Sequence, residues 1–108
     1  MGYVYLIKDP SNQTYKIGVT KDLKKRLLNL QTGNSTELQL MFYYHTPYPF
    51  KLEKLLHNKF KQYQYNNEWY ELPEADVMNF QLYCMEINKI IISLKDNPFF
   101  NKQFKYAK

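Results

Sequence analysis

The sequence has few of the residues that would crosslink it or anchor it. Its single cysteine, Cys84, excludes an intrachain disulfide, which is compatible with a reducing compartment. One cysteine and two histidines at these separations cannot form a structural zinc cluster. No segment approaches the ~18 apolar residues of a transmembrane helix, and the N-terminal residues lack the pattern of a signal peptide. We therefore expect a soluble intracellular protein that does not bind a membrane.

Positive charge is in excess and unevenly distributed. The chain of 108 residues has a formal net charge of +5, and 44% of its residues are hydrophobic, enough for one modest core. Residues 1–67 contain ten Lys and Arg against four Asp and Glu, whereas residues 68–96 contain two against six. Residues 97–108 contain three lysines and no acid. This distribution favours a polyanion such as nucleic acid as the partner.

The first third of the chain has the pattern of a β-hairpin followed by a helix. Residues 2–8 and 14–19 are rich in β-branched and aromatic residues, and the turn-forming residues 9–13 separate them. Asp22 is a suitable N-cap for a helix that ends near Gly33. One face of this helix is apolar and has its leucines at helical spacing: Leu23, Leu27 and Leu30.

The rest of the chain predicts one further strand, a short extended segment and two helices. Residues 38–45 predict a third strand, and Pro47 and Pro49 precede a second helix that runs to about Tyr63. Residues 68–72 are extended, and Pro73 suits the first turn of a third helix. The apolar residues of this helix are spaced alternately three and four apart: Val77, Phe80, Cys84, Ile87, Ile91 and Leu94. We interpret this stripe as core, with a dimer interface as the alternative.

The order β-β-α-β-α-(β)-α predicts an α+β fold. We expect a small antiparallel sheet of three or four strands, flanked by helices. Residues 1–72 would form the core, and residues 73–96 a C-terminal helix packed on it. Residues 97–108 would form an aromatic and basic tail.

Five residues have the chemistry that phosphodiester hydrolysis requires. Tyr5 and Lys16 lie on the two hairpin strands, and Arg26 lies at the edge of the buried face of the first helix. Glu53 and His57 are one turn apart on the second helix. Hydrolysis needs a base, a cation for the phosphoryl oxygens and a carboxylate that holds a hard metal. A tyrosine is a poor base at neutral pH, but positive charge from Lys16 or Arg26 would favour its phenolate.

Four more residues are candidates for contact with nucleic acid. Three lysines precede Arg26, and one further tyrosine lies in the hairpin: Lys21, Lys24, Lys25 and Tyr15. Lysines neutralise phosphates, and tyrosine rings stack on bases. The same lysines also fit an ordinary solvated helix face, and Tyr15 fits an ordinary strand aromatic.

Five short motifs resemble the GIY-YIG nuclease family, most of all its small T5orf172-like branch in phage and large DNA virus genes. Residues 2–5 (Gly-Tyr-Val-Tyr) resemble the first motif, and residues 16–18 (Lys-Ile-Gly) take the place of Tyr-Ile-Gly. Residues 19–27 resemble the stretch that leads to the family's helix arginine, and residues 52–60 resemble its glutamate helix. Residues 67–70 (Asn-Glu-Trp-Tyr) resemble the Gly-Glu-Trp-Phe that ends the core of that branch.

This resemblance implies hydrolysis of DNA with a single divalent metal, by a nuclease core at residues 1–72. The tyrosine matched by Tyr5 acts as the general base or helps to position it. Arg26 would bind the scissile phosphate. Glu53 would hold Mg²⁺ or Mn²⁺, with waters at the other coordination positions. Two residues would be auxiliary to the reaction: Lys16 and His57.

Two positions depart from the family pattern. Lys16 occupies a position where the family usually has a tyrosine, which is the proposed base in some members. Tyr15 points to the opposite face of its strand and cannot replace that tyrosine unless the strand bulges. The small branch often has this Tyr-Lys-Ile-Gly form, in which Lys16 would act on Tyr5. The second departure is Val19, which follows Gly18 where many members have lysine.

Two alternatives to an endonuclease therefore remain open. The first is a DNA-binding module with the same fold and weak or absent catalysis, for which we expect salt-sensitive binding without cleavage. The second is an interaction protein that forms a homodimer through the helix at residues 77–94.

Overall fold

A computed structural model describes residues 1–95, so the predicted tail, residues 97–108, lies outside the described residues. No helix within this part of the chain is long and apolar enough to cross a membrane. In chain order the elements are β1 (Gly2–Asp9), β2 (Thr14–Thr20), α1 (Leu23–Thr32), β3 (Gln39–Thr46), α2 (Pro49–Lys59), a 3₁₀ turn (Lys61–Tyr63), β4 (Gln64–Asn66), β5 (Trp69–Tyr70), α3 (Glu74–Met78) and α4 (Phe80–Lys95).

Five antiparallel strands form one sheet in the order β3-β1-β2-β5-β4. The predicted α+β class with a small antiparallel sheet is confirmed, and the sheet has one strand more than the sequence predicts. The additional strand is β4, whose three residues are all exposed and therefore show no apolar alternation. The register of β1 and β2 runs without a shift from Tyr3 opposite Thr20 to Asp9 opposite Thr14. Tyr15 and Lys16 consequently point to opposite faces of β2, as the sequence predicts.

The two faces of the sheet bury two separate groups of side chains. On one face Val4, Leu6 and Ile17 pack with residues of α2 and α4 in the larger core cluster. On the other face Tyr5 and Ile7 form a smaller cluster with Leu38. The residues that pack against this smaller cluster come mainly from α1 and β5: Leu23, Leu27, Leu30, Leu40 and Trp69. The alternation of each strand therefore decides which residues lie under α1, where Tyr5 is found.

The N-terminus of α1 is capped as the sequence predicts. A carboxylate oxygen of Asp22 accepts a hydrogen bond from the backbone N–H of Lys25 at 3.0 Å, which satisfies one of the free amides of the first turn. Gly33 follows the last helical residue and forms the C-cap. The cap fixes where α1 begins and hence which of its residues face the sheet.

The helix α2 is shorter than the sequence predicts. It ends at Lys59, and a 3₁₀ turn follows where the sequence predicts that the helix continues to Tyr63. The backbone carbonyl of Tyr63 accepts a hydrogen bond from the N–H of Glu71 at 2.8 Å, so this turn is tied to the segment after β5.

The predicted C-terminal helix is two helices. Asn79 separates α3 from α4, and its side-chain amide donates to the carbonyl of Ala75 at 3.0 Å. The backbone N–H of Asn79 donates to the same carbonyl at 3.1 Å. Asparagine often competes with the helical hydrogen-bonding pattern in this way. The break lies inside an otherwise regular apolar spacing, which is why the pattern alone predicts one helix.

The apolar stripe of α3 and α4 packs on the protein's own core. Val77, Phe80, Cys84 and Ile91 are buried in the larger core cluster, and Ile87 packs against it. The core interpretation is therefore correct, and the structure does not support a dimer through the 77–94 helix, since the stripe is already covered within the chain. Burial raises the pKa of the Cys84 thiol to about 12, as expected for a cysteine that serves as a small apolar core residue.

Candidate active site

The ring of Tyr5 lies across Gly18. The two residues are partners in the β1–β2 register, and a Cβ atom built on Gly18 would lie 2.5 Å from Cζ of Tyr5 and closer still to the hydroxyl oxygen. Any larger residue at position 18 would collide with the ring. Gly18 therefore leaves the space that Tyr5 occupies, and the side chain of Tyr5 is only 1% exposed.

The guanidinium group of Arg26 lies against the hydroxyl of Tyr5. Its Nε donates a hydrogen bond to the Tyr5 oxygen at 3.2 Å. That hydrogen bond is the main cause that raises the pKa of Arg26, and the negative charge of Glu68 raises it further. An arginine is always charged in proteins, so a fixed cation lies beside the phenol oxygen. The cap at Asp22 and the leucines of α1 place Arg26 over the sheet.

The ammonium group of Lys16 forms an ion pair with Glu68. The Lys16 Nζ to Glu68 Oε2 distance is 2.5 Å, and the two side chains are 9% and 50% exposed. The same nitrogen lies 5.7 Å from the centre of the Trp69 ring. Lys16 and Trp69 are partners in the β2–β5 register. This short strand pair thus brings Glu68 to a lysine that is almost fully buried.

Glu53, His57 and Glu68 form a compact group of metal-ligand side chains. Glu53 and His57 are one turn apart on α2, with Oε2 of Glu53 at 3.7 Å from Nε2 of His57. One ligand atom from each of the three residues lies within 4.8 Å of the others. The group lines an open cleft of about 390 Å³. Further residues of the cleft come from α2, the 3₁₀ turn and the β4–β5 region: Asn58, Lys61, Gln64, Asn67 and Tyr70.

Tyr70 fixes the orientation of His57. Its hydroxyl is hydrogen-bonded to Nδ1 of His57, and the two rings are 5.3 Å apart. Burial is the main cause that raises the pKa of Tyr70, and the negative charges of Glu68 and Glu53 add to it, so the phenol keeps its proton. A neutral His57 that binds a metal through Nε2 has its own proton on Nδ1, which then donates to the Tyr70 oxygen. A partner of this kind is typical of metal-binding histidines.

The donor set of this cleft fits a divalent cation. The two carboxylates supply two negative charges and the oxygen ligands that Mg²⁺ and Mn²⁺ take, and the imidazole adds a nitrogen ligand that suits first-row transition metals. Half of the Glu68 side chain is exposed, so solvent and substrate have access to the group. In the part of the chain that the structure describes, Glu53, His57 and Glu68 can therefore hold a metal ion.

The structure arranges four of the predicted site residues in two pairs. Tyr5 and Arg26 form the first pair, and Glu53 and His57 the second. Glu68 forms an ion pair with Lys16, and its charge acts on Arg26 as well.

The candidates for contact with nucleic acid lie in two different environments. Lys21, Lys24 and Lys25 are exposed around the N-terminus of α1. Tyr15 is only 9% exposed and belongs to the larger core cluster. Little of the Tyr15 ring is accessible to a base, so we do not propose Tyr15 as a residue that contacts nucleic acid.

Glu68 and Tyr70 are the site residues that the sequence analysis did not assign a role. Both lie in the Asn-Glu-Trp-Tyr segment, which the sequence analysis used only to mark the end of the core. An acidic residue directly before an aromatic pair was the available signal. Its significance depends on the β2–β5 pairing, which the sequence pattern does not reveal.

The comparisons with known proteins identify one family. A family model described as T5orf172 domain matches residues 2–83, about three quarters of the chain. The matched region includes every residue of the two pairs described above and Glu68. Neither a curated protein nor a solved structure matches the chain.

Proposed function

This chain belongs to the T5orf172 domain family, a GIY-YIG-like phage domain family that is associated with nucleases, and we propose that it is a metal-dependent DNA endonuclease. The main support is one structural observation. Glu53, His57 and Glu68 form a group of metal-ligand side chains in an open cleft, while Arg26 is hydrogen-bonded to Tyr5. A metal site and a phosphate-binding cation are components that can stabilise the charge that develops when a phosphodiester is hydrolysed, and the phenol holds that cation in place.

Glu53, His57 and Glu68 would hold the metal, which we propose to be Mg²⁺ or Mn²⁺. When bound, the ion stabilises negative charge on the phosphoryl and leaving oxygens. His57 would be oriented for this role by its hydrogen bond to Tyr70. Glu68 would balance positive charge from both the ion and Lys16. Tyr70 therefore affects the metal site by its hydrogen bond to His57, and Lys16 affects it by its ion pair with Glu68.

Arg26 would bind the scissile phosphate. Only its Nε is engaged, by Tyr5, and neither Nη group has a hydrogen-bond partner among residues 1–95. A guanidinium group that is held by one nitrogen offers its remaining donors in a fixed planar geometry, which matches two oxygens of a phosphate. The hydrogen bond to Tyr5 thus prepares Arg26 for an anionic ligand.

Tyr5 would act as the general base or position it. The oxygen of Tyr5 accepts a hydrogen bond from the Arg26 guanidinium group, so a cation lies beside the phenol. The side chain of Tyr5 is only 1% exposed, however, which leaves little access for a water molecule. The described geometry therefore favours a positioning role, in which Tyr5 holds Arg26 in place and another group takes the proton.

A second candidate function is a DNA-binding module without catalysis. Two observations favour it. The oxygen of Tyr5 is buried, and one carboxylate of the metal group is engaged by Lys16, which occupies the position of a family tyrosine. This alternative predicts salt-sensitive binding of DNA and no cleavage of DNA with any divalent metal.

Cleavage of supercoiled plasmid distinguishes the two functions. The purified protein is incubated with Mg²⁺, with Mn²⁺ and with EDTA, beside a Glu53→Gln variant that keeps the size of the side chain. Glu37→Gln is the control, since Glu37 is an exposed carboxylate outside the metal group. We expect nicked or linear DNA that requires metal and Glu53 and is unaffected by Glu37→Gln. Intact plasmid with a folded protein under all conditions would overturn the nuclease proposal and leave the binding module.

A further inference from the structure

The ring of Tyr3 contacts two further aromatic side chains, Tyr43 and His45. The ring of Tyr3 is stacked on His45 at 4.7 Å between centres, with 28° between the planes. Tyr3 also contacts Tyr43 edge to face, at 5.9 Å and 72°. His45 is exposed, Tyr43 is 49% exposed, and Tyr3 is half-buried. We refer to Tyr3, Tyr43 and His45 as the aromatic platform.

The aromatic platform lies on the same sheet face as Tyr5. Tyr3 is the register partner of His45, and Tyr5 is the register partner of Tyr43. Register partners on antiparallel strands point to the same face, and so do alternate residues along one strand. Tyr43 is therefore a direct cross-strand neighbour of Tyr5, whose hydroxyl accepts the hydrogen bond from Arg26. The platform continues the candidate active site toward the edge strand β3.

Positive charge borders this surface on the side of α1. Tyr3 is paired on its other side with Thr20, which directly precedes Lys21. Lys21, Lys24 and Lys25 are all exposed. A phosphate backbone that reached Arg26 from this side would pass these lysines. The rings and the cations thus lie together, although they come from different elements.

The chemistry of such a surface fits nucleobases that are not paired. A single exposed aromatic residue is ordinary, but here Tyr3 has two ring partners, and both partners, Tyr43 and His45, are exposed. Bases stack on aromatic side chains with little regard to sequence, provided that their faces are accessible. The bases of an intact duplex are stacked on one another and cannot reach such rings, whereas those of a single strand can.

We propose that the aromatic platform stacks on unpaired bases of single-stranded DNA whose backbone passes Arg26. This inference rests on the proposed function in taking DNA as the substrate, and it names the class of DNA. The substrate is a single strand, or a duplex with a gap, flap or loop, next to the phosphate that is cut. Target choice then comes from DNA structure and not from base sequence.

Fluorescence anisotropy of DNA binding tests the platform without relying on cleavage. The full chain is titrated in EDTA against a labelled single strand and against the duplex of the same sequence. The variants are Tyr43→Ala and Tyr3→Ala, with Tyr65→Ala as the matched control. Tyr65 is an equally exposed strand tyrosine, 55% exposed on β4, and belongs to neither the platform nor the core. Circular dichroism confirms that each variant is folded.

We expect each platform variant to bind the single strand about tenfold more weakly, which is the size expected for loss of one stacked base. The affinity of these variants for the duplex should remain unchanged. Tyr65→Ala should bind both DNAs as the unaltered protein does. Tyr43→Phe keeps the ring and should bind the single strand normally, so a defect of Tyr43→Ala that Tyr43→Phe lacks is due to stacking.

Three results would overturn the platform. The first is that Tyr43→Ala and Tyr3→Ala bind the single strand as tightly as the control Tyr65→Ala does. The second is an equal loss for duplex and single strand, which indicates backbone contact only. The third is no DNA binding by the unaltered protein. A failure of the nuclease proposal looks different, because the plasmid then stays intact with metal while the variants still differ in single-strand binding.

Discussion

The ammonium nitrogen of Lys16 lies 2.5 Å from Oε2 of Glu68, although the two residues are 52 positions apart in the sequence. Glu68 also belongs to the group that can hold a metal ion. The carboxylate of Glu68 thus pairs with the Lys16 ammonium group and could also be a ligand of a divalent metal. Whether the lysine opposes the metal or orients its ligand is open to direct measurement.

Replacing Lys16 with methionine should strengthen metal binding. Methionine keeps much of the length and apolar character of the buried side chain, and it removes a positive charge that repels the ion. At a separation of about 5 Å this repulsion is on the order of 1–2 kcal/mol even in water, so the Mn²⁺ dissociation constant should fall by about five- to thirtyfold. Electron paramagnetic resonance of free Mn²⁺ measures this without cleavage.

Lys24→Met is the control for the change in net charge, since Lys24 is exposed on α1. Its Mn²⁺ affinity should change little, because solvent and salt screen its charge. Weaker Mn²⁺ binding by Lys16→Met would contradict the expectation and would make Lys16 a residue that orients Glu68.

Replacing Gly18 with alanine should disrupt the site from within the sheet. The new Cβ would lie 2.5 Å from Cζ of Tyr5, and the ring would have to move away from Arg26. Overpacking of this kind costs about 1–3 kcal/mol of the free energy of unfolding, which urea titration measures. Plasmid cleavage should fall at least tenfold, because Arg26 loses the partner that holds it.

Gly33→Ala is the matched control, since a Cβ at Gly33 would have no atom within 4 Å and its backbone has a negative φ. We expect this variant to be as active as the unaltered protein. A Gly18→Ala protein with normal stability and normal cleavage would show that Tyr5 need not lie across position 18.

The losses of cleavage activity caused by Tyr5→Phe and by Arg26→Lys should not be additive. Phenylalanine keeps the ring and removes the oxygen that accepts from Nε of Arg26, and lysine removes the planar donor group. Each change should reduce cleavage by about a hundredfold. If Tyr5 acts by holding Arg26, the double variant loses no more activity than the worse single variant.

Single-turnover cleavage at saturating protein measures these losses, and Tyr65→Phe serves as the control for loss of an exposed hydroxyl. Fully additive losses would mean that Tyr5 and Arg26 make independent contributions, as expected if Tyr5 takes the proton itself.

Cys84 should be unreactive in the folded protein. Its thiol is buried, and its pKa is raised from 9.0 to about 12, so almost no thiolate is present at pH 8. A chromogenic disulfide reagent should react only as fast as the protein unfolds, and at once in urea. Because the folded-state pKa is the higher one, this thiol should also lower the free energy of unfolding as pH rises from 9 toward 12. Rapid labelling of the native protein at pH 8 would contradict the burial of Cys84.

The sequence was sufficient to predict the elements that have a strong local signal. The β1–β2 hairpin, the cap at Asp22 and the apolar face of α1 follow from residue spacing and turn chemistry. The stripe from Val77 to Ile91 was also correctly interpreted as core. The same pattern did not reveal the break at Asn79, since the apolar spacing continues across it. Apolar spacing carries no information on the side-chain amide of Asn79, which shares the Ala75 carbonyl with the backbone N–H.

By itself, the sequence determined the types of group that the site contains and the face of each element on which they lie. Tyr5, Arg26, Glu53 and His57 follow from strand alternation, helical spacing and the family motifs, since these depend only on neighbours along the chain. The tertiary structure decided that Glu68 completes the metal group and that Tyr43 lies beside Tyr5. Both depend on pairing between strands that are distant in the sequence, because register is set by how the whole sheet buries its two faces.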